Sequence, residues 1–263
     1  MKEIRIYRCE DSVDGIFTAV YDAWASKYGH DYIKLEVMDE DACSNFELFS
    51  DYLDVKTDLE KSQKVARTIK NKISDYAYEM LIHAALSNDK RKADSIYHFI
   101  VIGLSMGEQV TRHLANPYVA NIFEINRNVG NELHHYKGFL RFHEINDNLL
   151  LAKFEPKNSI VELITPHFAE RLSQENFIIL DIKRRLASIH QRGLSWYMTL
   201  LSKHEMDEIL SYSNNEEEYE SLWRTFFKNI AISERENYVC QRNHAPLHLR
   251  KYMIEFQDIN SNE

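Results

Sequence analysis

The sequence predicts an α+β fold: a helical N-terminal half with a few short strands, followed by an antiparallel sheet plus helices in the C-terminal half. Two observations predict it. From Asp58 to about residue 131, apolar side chains recur at helical spacing, with Leu81, Ala84 and Ala85 on one face and Ile96, Phe99, Ile100 and Gly103 on another. Beyond about residue 136 the period shortens toward two, as strands require.

In chain order, residues 2–8 alternate, with Ile4 and Ile6 between charges, and read as a strand. Asp11 or Ser12 then caps a helix reaching about Lys27, carried by Ile16, Val20, Ala23 and Trp24 and ended by Gly29. Residues 32–38 and 46–55 read as short strands or loop. The helical stretch opened by Asp58 is interrupted near Ser74, Asn88 and Pro117. Residues 139–144 and 149–154 read as two strands joined through Asn146-Asp-Asn148. A helix over 158–173 follows, then strands at 177–181, 186–189 and 196–201, and helices near 204–212, 216–229 and 246–256. There is no internal repeat. The chain reads as one unit over 1–263, with any sub-division falling between a mainly helical region, residues 1–133, and a sheet-rich region, residues 134–263.

Composition sets bounds on function. The 263 residues carry 32 Lys+Arg against 41 Asp+Glu, a net charge of −9, which disfavours a free-standing, charge-driven DNA binder. The charge is uneven, however. Residues 134–192 hold nine basic and seven acidic side chains and five of the twelve histidines, so an anionic ligand is expected there first. With 7 Gly and 4 Pro, and no GxGxxG or GxxxxGK[ST] loop, low-complexity and phosphate-loop classes are excluded. Cys9, Cys43 and Cys240 stand far apart and cannot supply a four-thiolate cluster or zinc site, and no cofactor is expected. The N-terminus has no signal-peptide core and Phe99–Leu104 is too short to span a bilayer, so a cytoplasmic location is expected.

Four constellations could carry chemistry. His134-His-Tyr-Lys-Gly-Phe-Leu-Arg-Phe142 as a strand would put Lys137, Phe139 and Arg141 on one face, able to hold a phosphate and stack a base; the same letters also suit core aromatics and solvated cations. His167 and Arg171, four apart on a helix, could bind a phosphate, and His167 could act as acid or base with Asp181 orienting it. Asp181-Ile-Lys-Arg-Arg185 closes a buried strand, either as a site built on Arg184 or as an ion-paired turn. Arg235, Asn237 and Gln241 could read base edges or phosphates, or simply form a polar turn. Gly103-Leu-Ser-Met-Gly107 has the letters of a nucleophile elbow, but the preceding residues read as helix, and close helix packing explains it equally. No HExxH or HxE…PCxxC motif occurs, His134 and His135 would diverge on a strand, and Pro246 separates His244 from His248, so no metal site is expected.

With these residues in view, the chain resembles a bacterial family, domain of unknown function 4130, associated with DNA metabolism or repair. The resemblance rests on Asp14-Gly-Ile-Phe17, Thr57-Asp58, Val65-Ala-Arg67, Glu132-Leu-His134, Gly138-Phe-Leu-Arg-Phe142, His167-Phe-Ala-Glu-Arg171, Asp181 with Arg184, Leu222-Trp223 with Phe227, and Ile232-Ser-Glu-Arg-Glu-Asn237 with Gln241. It departs from the family pattern at His135, where an arginine is usual, and at Leu249-Arg250, where an aromatic pair is usual. The resemblance implies a role beside a radical-SAM protein, with DNA as the setting, since some members are fused to uracil-DNA-glycosylase-like domains. Three functions follow as expectations: an accessory DNA-handling protein presenting His134, Lys137, Arg141, Arg171, Arg184, Arg235, Asn237 and Gln241; a DNA-acting hydrolase using His167 and Asp181; or an interaction module without a ligand.

Overall fold

The computed structural model describes residues 3–38, 50–146, 148–212 and 237–259, which divide into two units, 1–130 and 131–263. In the first unit, β1 (Ile4–Cys9) pairs in parallel with β2 (Ile33–Val37) on one side and with β3 (Ser50–Asp54) on the other. Because β1 is central, Ile6, Tyr7 and Cys9 are buried on both its faces.

Helix α1 (Val13–Ala25) starts where Ser12 accepts the Gly15 amide at 2.9 Å. It buries Ile16, Phe17, Ala19, Val20 and Ala23, whereas Trp24 is 44% exposed and lies against His30, 4.8 Å between ring centroids. Asp58 caps α2 (Leu59–Lys72) and Ser74 caps α3 (Asp75–Ala85), as the sequence predicts. The helix α4 (Lys92–Met106) contains most of the GxSxG letters, so no strand–turn–helix elbow forms there. A Cβ on Gly103 would lie 2.6 Å from Ile73 Cδ1, which identifies it as a close-packing glycine.

Helix α5 (Pro117–Phe139) continues further than the sequence pattern predicts. Residues 134–139 are therefore helical and not extended. Val129, Glu132, Tyr136 and Leu140 are all buried, a stripe at 3–4-residue spacing that overrides the alternation of the Gly-Phe-Leu-Arg-Phe letters.

The second unit is built on a five-stranded, antiparallel-rich sheet in the order β4-β5-β6-β7-β8, with β4 Phe142–Asn146, β5 Leu149–Phe154, β6 Asn176–Asp181, β7 Leu186–His190 and β8 Tyr197–Leu200. One pair, β5 with β6, is parallel, because α6 (Val161–Arg171) crosses between them. Period two divides the sheet's side chains. Leu151, Ile178, Leu180 and Ala187 pack with Met206, Ile209 and Leu210 of α7 (Lys203–Tyr212). On α6, Thr165 donates to or accepts from the Ser188 hydroxyl at 2.8 Å, while Val161, Ile164 and Phe168 complete its buried side.

Two short helices, α8 (Tyr238–His244) and α9 (Leu247–Arg250), precede a 3-10 turn at Ile254–Ile259, in place of one helix over 246–256. The expected helix at 216–229 and the Leu222, Trp223, Phe227 and Arg235 positions lie outside the described residues, as does Asp147 of the hairpin turn. No helix among the described residues is long and apolar enough to cross a membrane.

Candidate functional site

The parallel pair β5–β6 gives the second unit a direction. Its two strands end together at Phe154 and Asp181, and the crossover into α6 leaves from that end. Open α/β units bind ligands at such carboxyl ends, where loops converge on a rigid support.

Asp181 is fully buried there, on the same side of β6 as Phe177 and Ile179. It pairs with Arg184 Nη1 at 2.8 Å and accepts the Arg184 amide at 3.2 Å. Arg184 goes on to donate to the carbonyls of Pro156 (3.1 Å) and Lys157 (2.6 Å). From α5, the buried carboxylate of Glu132 accepts the Lys157 amide (2.7 Å), the Asn158 amide (3.0 Å) and the Asn158 side chain (2.6 Å). The turn 155–158 is thus held through both its donors and its acceptors, and Asp181 is committed to that task. The expected alliance of Asp181 with His167 is not formed, because both Asp181 oxygens face Arg184.

Next to this turn, Glu155 accepts from Lys251 Nζ at 2.7 Å and from the Tyr252 hydroxyl at 2.6 Å. These two donors hold its carboxyl below the usual carboxylate range. Tyr136 lies edge-on to Phe154, 4.9 Å between centroids. Burial, followed by the carboxylates of Glu132, Asp181 and Glu155, pushes its phenol above the ordinary value. At neutral pH the group therefore holds an ionised Glu155 and phenols that keep their protons. It is suited to hydrogen bonding and charge, and poorly suited to proton abstraction.

The rim carries cations. Lys157, Lys183 and Arg185 are exposed and make no ion pair among the described residues. Arg185 has φ +54°, a left-handed backbone that a β-turn ordinarily gives to Gly or Asn.

Other expected residues fall elsewhere. His134 sits between Glu132 and Tyr136 on α5, and since those two face inward, it is exposed. Lys137 is half-buried near the end of α5 and shares no strand face with Arg141. Arg141 donates to Glu255 Oε1 at 2.7 Å and to the Gly138 carbonyl at 3.0 Å, so its head group is occupied within the fold. His167 and Arg171 do lie one turn apart on α6, with His167 half-buried and edge-on to Phe168 and Arg171 exposed at the helix end. Arg171 ends α6 five residues before β6 begins at Asn176, however, and β6 then rises about 17 Å to Asp181. Arg171 therefore belongs with Arg192, whose amide donates to Asn176 Oδ1, at the amino end of β6. Asn237 is exposed at the start of α8 and Gln241 lies one turn later, its amide bonded to the Asn237 carbonyl. The central cations thus form two groups at opposite ends of the sheet.

The first unit holds a constellation that spacing along the chain does not reveal. In the order β2-β1-β3 the sequence of strands switches sides between the parallel β1 and β3, and the loops beyond their carboxyl ends carry Glu10, Asp11, Ser12, Thr57 and Asp58. Lys92, buried at the start of α4, pairs with Asp11 and donates to the Ser87 carbonyl; Ser62 donates to Asp14, and Thr57 to Glu10. A Cβ on Gly15 would meet the Glu10 carbonyl at 2.6 Å. Asp14-Gly15 and Thr57-Asp58 are visible in the sequence, but only the parallel topology brings them together. Burial, reinforced by Asp11, pushes the Cys9 thiol beneath this loop up to about 12. Among the described residues no three His, Cys, Asp or Glu side chains are grouped so as to hold a metal ion.

No curated protein matches the chain. Among solved structures, a DHH domain from a member of a family of ribosomal proteins aligns with 73% of this chain and 74% of its own, at 10% identity and a TM-score of 0.34. The family model described as "Domain of unknown function (DUF4130)" matches residues 90–255, from the start of α4 through the Glu132, Asp181 and Arg184 clamp to Glu255. That span is well over half of the chain, so the protein belongs to the DUF4130 family.

Proposed function

We propose that the protein is a DNA-handling accessory component in DNA metabolism or repair, working in the cytoplasm beside the radical-SAM protein that the family resemblance implies. The observation that carries this reading is the rim at the carboxyl ends of β5 and β6. There Lys157, on the turn fixed by Glu132 and Arg184, and Lys183 and Arg185, on the turn between β6 and β7, are exposed without ion pairs among the described residues. A rigid support with unpaired cations suits a phosphate backbone, because the charges are already placed and little ordering is left to the binding step. The commitment of Asp181 to Arg184 favours binding over hydrolysis, since it takes away the carboxylate expected to orient His167.

The test is DNA binding by the full chain, followed by fluorescence anisotropy across a salt series. Affinity is expected to fall with salt, and the Lys183→Ala, Arg185→Gly double variant is expected to lower the log–log slope by about two. Gly suits the left-handed backbone at 185, so this variant separates binding from folding. No binding at low salt, with or without the partner, would overturn the reading. DNA cleavage by the purified protein that disappears in His167→Ala would replace it with the hydrolase.

A further inference from the structure

The C-terminal segment of the second unit holds a cation without a counter-ion among the described residues. From the end of α9, Arg250 reaches back so that its Nε donates to the Ala245 carbonyl at 2.9 Å. Its guanidinium lies over the Phe256 ring, 4.5 Å from the centroid. These two contacts fix the plane of the head group. Its Nη2 is closed off from water yet has no hydrogen-bond partner among the described residues. Arg141 and Arg184, by contrast, each have a carboxylate, in Glu255 and Asp181.

Among the described residues, the charge that acts on Arg250 is another guanidinium. Arg242 stands on α8, three residues before the Ala245 carbonyl on which Arg250 is anchored. It is exposed and makes no ion pair among the described residues. Burial, followed by repulsion from Arg242, holds Arg250 below the usual arginine value. A water molecule would satisfy the orphaned N–H but would leave two like charges without a counter-ion among the described residues. An oxyanion answers both, and the planar fork of a stacked arginine matches its geometry.

We propose that Arg242 and Arg250 form the seat of a phosphate group, with Arg250 as the oriented fork and Arg242 as the second cation. The next residue, Lys251, pairs with Glu155 at the carboxyl end of β5. The assignment of its phosphate to a DNA backbone phosphodiester rests on the DNA-handling reading; the seat itself does not.

The experiment titrates the full chain with inorganic phosphate, and with sodium chloride at matched ionic strength, while arginine Nε–H resonances are followed by NMR. Phosphate is expected to shift the Arg250 resonance saturably where chloride does not, and Arg242→Ala is expected to weaken that binding about tenfold. Arg250→Lys, which keeps the charge and loses the fork, is expected to weaken it likewise. An identical response to chloride, or unchanged phosphate affinity in Arg242→Ala, overturns the seat. In a parallel anisotropy measurement, weaker DNA binding by Arg242→Ala supports the phosphodiester as the source. Phosphate binding without any DNA binding overturns the DNA-handling reading and leaves the seat standing.

Discussion

Glu132 and Arg184 grip one turn from its two chemical sides. Glu132 accepts the amides of Lys157 and Asn158, while Arg184 donates to the carbonyls of Pro156 and Lys157. Neither residue could do this as a surface side chain. Glu132 is 9% exposed, and Arg184 is aligned by the fully buried Asp181. Removing one member of such a network leaves the others desolvated and unpaired, which costs more than the hydrogen bonds themselves contribute. Glu132→Ala and Asp181→Ala are each expected to lower unfolding free energy by about 3 kcal/mol. Urea denaturation checks this, and a loss under about 0.5 kcal/mol would show that the clamp carries little of the stability.

The β1–α1 turn has no room for a side chain at position 15. A Cβ there would meet the Glu10 carbonyl oxygen, and backbone cannot swing aside as a flexible side chain would. Gly15→Ala is expected to destabilise the protein by about 1–3 kcal/mol despite the better helix propensity of alanine. A thermal midpoint equal to or above the wild type would contradict this.

Cys9 should be chemically silent in the native protein. Its thiol is buried and shifted to about 12, so almost none is thiolate at pH 8. Iodoacetamide at that pH, followed by peptide mass spectrometry, is expected to leave Cys9 unmodified until denaturant is added. Rapid native labelling would show that the loop above it opens readily.

His98 makes stability depend on pH in a defined direction. Burial lowers its pKa, opposed by Asp94 and Asp31 and assisted by His30, while burial raises that of Asp94. Its ring stacks on Tyr118 at 4.1 Å. As pH falls below about 6.5 the unfolded chain takes up the histidine proton first, so this group's contribution is lost from there down toward its folded pKa. Asp94, shifted upward by burial, acts in the opposite sense, adding stability as pH falls through its folded pKa. The wild type is expected to lose stability between pH 7 and the folded pKa of His98, and His98→Gln to flatten that slope. Equal slopes in the two proteins would remove His98 as the cause.

How much of this was legible in the sequence depended on the range of the interaction. Ser12, Asp58 and Ser74 announced their helices because a cap bonds to amides two or three residues away. The strands at Leu149–Phe154 and Asn176–Asp181 announced themselves through runs of apolar residues. The end of α5 did not, since Gly138-Phe-Leu-Arg-Phe142 satisfies two periods at once. Reading Glu132, Tyr136 and Leu140 as one stripe was the signal that would have found it.

By itself, then, the sequence determined the α+β class, most of the elements and the net-basic stretch within an acidic chain. Only the tertiary structure decided which charges the fold consumes. It joined Arg141 to Glu255 across 114 residues and Asp181 to Arg184, and it put Arg171 at the other end of β6 from both. The physical reason is that a charge takes its function from what it meets. Those meetings are set by strand direction and by burial between segments far apart in the chain, which local spacing does not encode.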